Sequence, residues 1–219
     1  MLRMLGRHRA WFTQHVESTA GLKKITWHDF DFTAGVSKQH GDAELKGLNF
    51  LPIGHPARVE WKTWWPQTGN VHNWDAVGEC RIDDSTNYLL VEAKANTAEL
   101  RQSITAKSKD FGGGLELIEE RLAETQQAIG LTVPKVWTKP YYQYANRLAL
   151  LHFLQQQGVS AHLILVYFKG DTNPKKICPA NAAAWRPALD NMKKNLGLTG
   201  QSALEQRIHE VFVPVVENL

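Results

Sequence analysis

The segment Tyr88-Leu89-Leu90-Val91-Glu92-Ala93-Lys94 is an apolar run that closes on a carboxylate and an ammonium. Burying charge at the end of such a strand is costly without a compensating partner, so the run marks both a core strand and a place where charges meet. Side chains alternate along a strand, which puts Glu92 and Lys94 on one face. A second apolar run, Leu163 to Phe168, ends at Gly170 and reads as another buried strand. The stretch before it reads as a helix. Thr138 serves as its cap, Pro140 lies in its first turn, Leu148-Ala149-Leu150-Leu151 is apolar nearly all round, and Gly158 follows its end at Gln157. Such a helix belongs inside.

The rest of the chain is arranged around these pieces. Arg3 to Thr19 has the pattern of a helix stopped by Gly21, and Lys23 to Pro56 is punctuated by glycines and reads as mostly irregular. From Arg58 to Trp65 the residues alternate, with Val59, Trp61 and Thr63 on one side and Arg58, Glu60 and Lys62 on the other, the signature of a half-exposed strand. Asn73 to Ile82 reads as a second strand, and Asp83, Asp84, Ser85 and Asn87 form a turn into a third, Tyr88 to Ala95. Asp110-Phe111-Gly112-Gly113-Gly114 reads as a flexible loop, followed by a helix with Leu115, Ile118, Leu122 and Ile129 inward. Ala180 to Leu196 and Ser202 to Val211 are expected to be helical trimmings. The order is helix, three-stranded meander, helices, strand, helices: an α/β fold with a central mixed sheet flanked by helices.

A length of 219 residues suits one domain over 1–219. No stretch approaches the roughly 18 uninterrupted apolar residues of a membrane span. Arg3, Arg7, His8 and Arg9 break up any signal-peptide core in Met1 to Val16, so a plain first helix and a cytoplasmic protein are expected, ahead of an organelle transit peptide. Cys80 and Cys178 form no CxxC pair and read as ordinary buried thiols. A net charge of +3 permits a nucleic-acid partner without requiring one. The chain lacks GxSxG, Walker A, HExxH and GxGxxG motifs, and its nine histidines show no compact ligand spacing. Asp110-Phe111-Gly112 imitates a kinase metal motif, but the other kinase loops are missing.

Three Glu-x-Lys tripeptides occur: Glu44-Leu45-Lys46, Glu60-Trp61-Lys62 and Glu92-Ala93-Lys94. Only the last follows a continuous apolar run. Asp75 interrupts another apolar stretch, and a hairpin through the Asp83 turn brings it beside Glu92. The three residues taken alone suit a structural ion pair, Asp75/Lys94 or Glu92/Lys94, as well as a catalytic trio. The order of elements shifts the balance, because the chain resembles the PD-(D/E)XK nuclease superfamily, with its restriction-endonuclease-like core. An acid lies on the second strand of a meander, Glu-x-Lys on the third, and a helix and returning strand follow. Trp74 stands where the family usually has proline.

The resemblance implies that Asp75, Glu92 and Lys94 are catalytic. It also implies that Asp75, Glu92 and the backbone carbonyl of Ala93 hold a divalent cation. Oxygen-only ligation favours Mg²⁺ or Mn²⁺ over zinc. Lys94 would position water or stabilise developing charge. Phosphodiester hydrolysis on nucleic acid is implied, DNA ahead of RNA, with two rivals: an inactive nuclease-fold binding module, and the same site used on another phosphate-containing substrate. Gln143, Asn146 and Arg147 fall at i, i+3 and i+4 on one helix face. Exonuclease-like branches carry a similar Gln with a Tyr four residues on, where this chain has Arg147; a polar helix end bonded to nearby loops suits the same residues. Glu17 resembles the first-helix acid of several branches, although surface exposure is its plainer reading. Trp61, Trp64, Trp65 and Trp74 are expected to fill core rather than stack on bases.

Overall fold

The computed structural model describes residues 1–28, 45–67, 72–173 and 175–215. Its centre is a hairpin of β4 (Ala76–Ile82) and β5 (Ser85–Lys94), in antiparallel register from Ala76↔Val91 to Ile82↔Ser85. Asp83 and Asp84 both have positive φ, 47° and 61°. That is the geometry of a two-residue turn whose twist matches the flanking strands, and aspartate tolerates it better than most residues. β1 (Thr26–Trp27) adds antiparallel to β4, β6 (Ala161–Lys169) adds parallel to β5, and β7 (Ile208–Pro214) adds parallel to β6. The five-stranded mixed sheet therefore has the order β1-β4-β5-β6-β7. A separate two-residue pair joins β2 (Leu45–Lys46) to β3 (Asn73–Trp74).

Helices cover both faces. On one face α1 (Leu2–Arg7) and α2 (Arg9–Ala20) set Met4, Leu5, Phe12 and Val16 against Leu89, Val91, Ile164, Val166, Val211 and Val213. On the other, α3 (Pro56–Trp64), α4 (Leu115–Ala128), α5 (Tyr142–Gln156) and α6 (Ala182–Leu196) pack over Val77, Leu90, Leu163, Leu165 and Tyr167. Because β5 alternates, Leu90 and Glu92 share the side that α5 covers. The expected helix after Thr138 is α5, starting later, at Tyr142; it is buried over nearly its whole length and is followed by Gly158 at φ 68°.

Several expectations change. The alternating segment Arg58–Trp65 is not a strand but the body of α3: Pro56 opens it, and the His55 ring accepts the Ala57 N–H at 3.2 Å as an N-cap. Its buried positions, Ala57 and Trp61, follow the helical i, i+4 spacing, and Val59 is 58% exposed. Ser202–Val211 is not helical beyond a short 3-10 turn at Glu205–Arg207, and it continues as strand β7. The first helix is broken at His8 into α1 and α2, the second of which stops at Gly21 in left-handed conformation. Asp110–Gly114 is a loop, as expected, and its start belongs to a 3-10 turn, Lys109–Phe111, capped by left-handed Gly112.

The tryptophans do fill core. Trp61, Trp65 and Trp74 are buried, with Trp64 half-buried and stacked on Trp61 and Trp65. Cys80 is buried, whereas Cys178 is partly exposed, and both are free thiols. Among the described residues no helix is long and apolar enough to cross a membrane. Glu44 lies outside the described residues.

Candidate active site

Asp75 sits in a bend between β3 and β4, which interrupts one extended segment without ending its pairing with β5. Its N–H donates to the Val91 carbonyl at 3.0 Å, and its carboxylate Oδ2 accepts the Ala93 N–H at 2.7 Å. The acid of one segment is thus clamped to the backbone between Glu92 and Lys94. Strand alternation delivers Glu92 and Lys94 to the same face, and the first turns of α5 supply the opposing groups.

Glu92 is only 6% exposed and is surrounded by donors. Arg147 gives it two hydrogen bonds, Nε to Oε2 at 2.9 Å and Nη2 to Oε2 at 2.7 Å. Gln143 Nε2 donates to Oε1 at 2.8 Å, and the Lys94 ammonium is paired with the same oxygen. Burial is the largest influence on this carboxyl and pushes its pKa up, but the Arg147 and Lys94 charges and their hydrogen bonds together outweigh it. The net direction is down, so Glu92 stays ionised.

Arg147 is itself held from three sides. Nη2 also donates to the Asn73 carbonyl at 2.8 Å, Nη1 donates to Asn146 Oδ1 at 3.3 Å, and the guanidinium lies 4.6 Å from the centroid of the Trp74 ring. Trp74, at the position where the resembled family has proline, is therefore a buried cation–π platform, fixed by its own Nε1–H on the Gly47 carbonyl at 3.0 Å. His72 bonds through Nε2 to the Asn146 carbonyl at 2.9 Å, which puts the proton on Nε2. Burial first and the Arg147 charge second lower its pKa to about 3, leaving the ring neutral.

These groups open on a cleft of about 500 Å³, lined on the sheet side by Asp75, Glu92, Ala93 and Lys94 and on the helix side by Gln143, Asn146 and Arg147. A further wall is the segment Gln102–Ala106, tied down by Ile104 N–H on the Thr138 carbonyl and by Tyr142 N–H on the Gln102 carbonyl, both 2.9 Å, and Trp65, Pro66, His72, Asn73, Ile118 and Tyr142 complete the lining. Comparison with family models, curated proteins and solved structures finds no match. The site rests on its own geometry.

The residues fit a hard divalent cation in donor type. Among the described residues no three His, Cys, Asp or Glu side chains gather in metal-binding proximity. Two carboxylates with a backbone carbonyl are the sparse, oxygen-only set that Mg²⁺ accepts when water and substrate phosphate complete it. The four N–H donors on Glu92 match the roughly four lone-pair sites of a carboxylate, so an ion would reach Oε1 only with Lys94 or Gln143 displaced. Lys94, at 14% side-chain exposure against 5% for Arg147, is the partner nearer solvent.

Of the residues expected at the site, Asp75, Glu92, Ala93, Lys94, Gln143, Asn146 and Arg147 all line this cleft. Glu17 does not. Its carboxylate accepts the Ile25 N–H at 3.0 Å and braces the link between α2 and β1, so it is neither a site acid nor a simply solvated side chain. Glu60 and Lys62 are exposed on α3. Sequence reasoning missed His72, the Asn73 carbonyl and the Gln102–Ala106 wall. The alternation of Ser103 and Thr105 with Ile104 and Ala106 was the available signal for the last of these.

Proposed function

We propose that this chain is a metal-dependent phosphodiesterase acting on nucleic acid, DNA ahead of RNA, built on a restriction-endonuclease-like core. The observation that carries the reading is the clamp between Asp75 Oδ2 and Ala93 N–H. It brings an acid from before β4 into one cleft with Glu92 and Lys94 of β5, on a sheet whose next strand returns parallel after a helix. Asp75, Glu92 and the Ala93 carbonyl would hold Mg²⁺ or Mn²⁺. The ion, when bound, supplies charge neutralisation on the phosphate and a more acidic water.

The chain's own groups do the rest. Hydrolysis adds water across one P–O ester bond, and the departing oxygen leaves with a proton. Arg147 holds Glu92 ionised and in place. Gln143 orients the same carboxylate from the helix. Lys94, on a flexible stem at the edge of the cluster, positions the water or a phosphate oxygen where charge develops.

The reading is tested by incubating single-stranded DNA, double-stranded DNA and RNA with the protein in Mg²⁺, Mn²⁺ or chelator. Cleavage should require the ion, and Mn²⁺ binding seen by calorimetry should be strongly weakened in both Asp75→Ala and Glu92→Ala. Unchanged binding in both would remove the metal site. One observation favours a second reading, an inert module on the same fold: Glu92 is already saturated by protein donors. Lys94→Met separates the two. A nuclease variant folds, binds Mn²⁺ at least as well as wild type and loses most of its cleavage rate, whereas an inert module shows only a lowered melting temperature.

A further inference from the structure

Phe111 is 78% exposed, while every other described Phe, Trp and Tyr is buried or half-buried except Trp11 at 36%. It is not carried on a slack segment. Phe111 N–H and Gly113 N–H both donate to the Ser108 carbonyl, at 3.0 and 2.9 Å, and Leu115 N–H donates to the Lys107 carbonyl at 3.1 Å. Lys109 N–H is held by the Glu116 carboxylate at 2.9 Å. The glycines here are required by packing: a Cβ on Gly113 would fall 1.8 Å from the Lys107 carbonyl oxygen, and one on Gly114 would fall 2.4 Å from the Pro66 ring. Pro66 lines the cleft, as does Ala106, so this turn is seated against the rim.

The flanks of the Gln102–Ala106 wall carry exposed cations. Arg101, Lys107 and Lys109 are exposed on either side of it and beyond, with exposed acids beside them: Asp110, and Glu116, whose carboxylate is engaged by the Lys109 N–H. An apolar ring presented on a braced turn just after Lys107 and Lys109 suits a polyanion whose repeating units carry flat apolar faces. In a duplex those faces are already stacked on one another, whereas in a single strand they are free to stack on an aromatic side chain. The lysines would follow the phosphates.

We infer that Phe111 is a base-stacking platform and that the cleft takes single-stranded nucleic acid, or the unpaired end of a duplex, in preference to closed duplex. This rests on the nucleic-acid reading of the site and specifies its substrate class.

Fluorescence anisotropy in chelator, where no cleavage occurs, tests it with a labelled single-stranded DNA oligonucleotide, the same sequence as RNA, and the blunt DNA duplex. Wild type should bind the single strands more tightly than the duplex. Phe111→Ala should weaken single-strand binding by roughly 5- to 100-fold, the range typical of one lost base–aromatic stack, and leave duplex binding nearly unchanged. Phe111→Trp should restore it. Lys107→Ala with Lys109→Ala should weaken every nucleic acid and flatten the salt dependence. Because Phe111 is exposed, an unchanged thermal melt should accompany its substitution. Equal single-strand affinity in Phe111→Ala, an equal loss on duplex, or no binding of any nucleic acid by wild type would overturn the inference. Cleavage is scored separately. A wild type that binds through Phe111 and never cuts would remove the nuclease reading alone, and one that cuts with Phe111→Ala behaving as wild type would remove the platform alone.

Discussion

Arg147 is the residue on which the candidate site turns. Buried at the first turns of α5, it faces Glu92 with two N–H groups and Asn73 with a third contact, under the Trp74 ring. Arg147→Met should therefore cost about 3 kcal/mol, the lower end for breaking a buried ion pair, because Lys94 and Gln143 still serve Glu92. Urea denaturation of the two proteins checks this, and a loss under 1 kcal/mol would mean the pair is only nominal. His72 gives a pH signature. Its folded pKa of about 3 lies below the ordinary 6.5, so between those values the unfolded chain binds a proton that the folded one refuses. Stability then rises with pH across that window, by up to about 1.4 kcal/mol per pH unit from this group. His72→Gln keeps an N–H for the Asn146 carbonyl and should flatten the acid limb of stability against pH. An unaltered limb would show that His72 does not set it.

At the scale of elements, what the sequence discloses depends on whether one periodicity dominates. The hairpin turn, β5, α4, α5 and β6 each carry one pattern and were legible, and with them Asp75, Glu92, Lys94 and the Gln143 face. α3 was not, because three of its apolar residues happen to alternate and only the Pro56 start and the i, i+4 pair Ala57/Trp61 reveal the helix. β7 was hidden for a different reason. Its pattern, His209, Val211 and Val213 inward, acquires meaning only beside β6, a partner far away in sequence. The segment's true state is open to a simple test. Val211 is fully buried, and Val211→Asp should destabilise by about 4 kcal/mol or more by placing an unpaired charge in the core. A surface helix at the end of the chain would tolerate the change, leaving the melting temperature close to wild type.

For the whole molecule, the sheet divides labour between its two faces. The face under α1 and α2 is apolar wherever Leu89, Val91, Ile164, Val166, Val211 and Val213 meet it, and its business is cohesion. The other face carries core along most of β5 and opens into the cleft only at the strand's end, where Glu92 and Lys94 emerge. The charges gathered there, Asp75 and Glu92 against Lys94 and Arg147, cancel. The polypeptide carries its own counterions. We expect the protein to melt at the same temperature after exhaustive chelation as before, and to melt higher as Mn²⁺ is added, by the amount mass action dictates; unfolding on chelation would contradict this. Many small metal proteins cannot fold until their ion arrives. On the proposed reading assembly and loading are separate events here: the fold does not wait for its ion, and the ion adds only the increment of stability that its binding supplies.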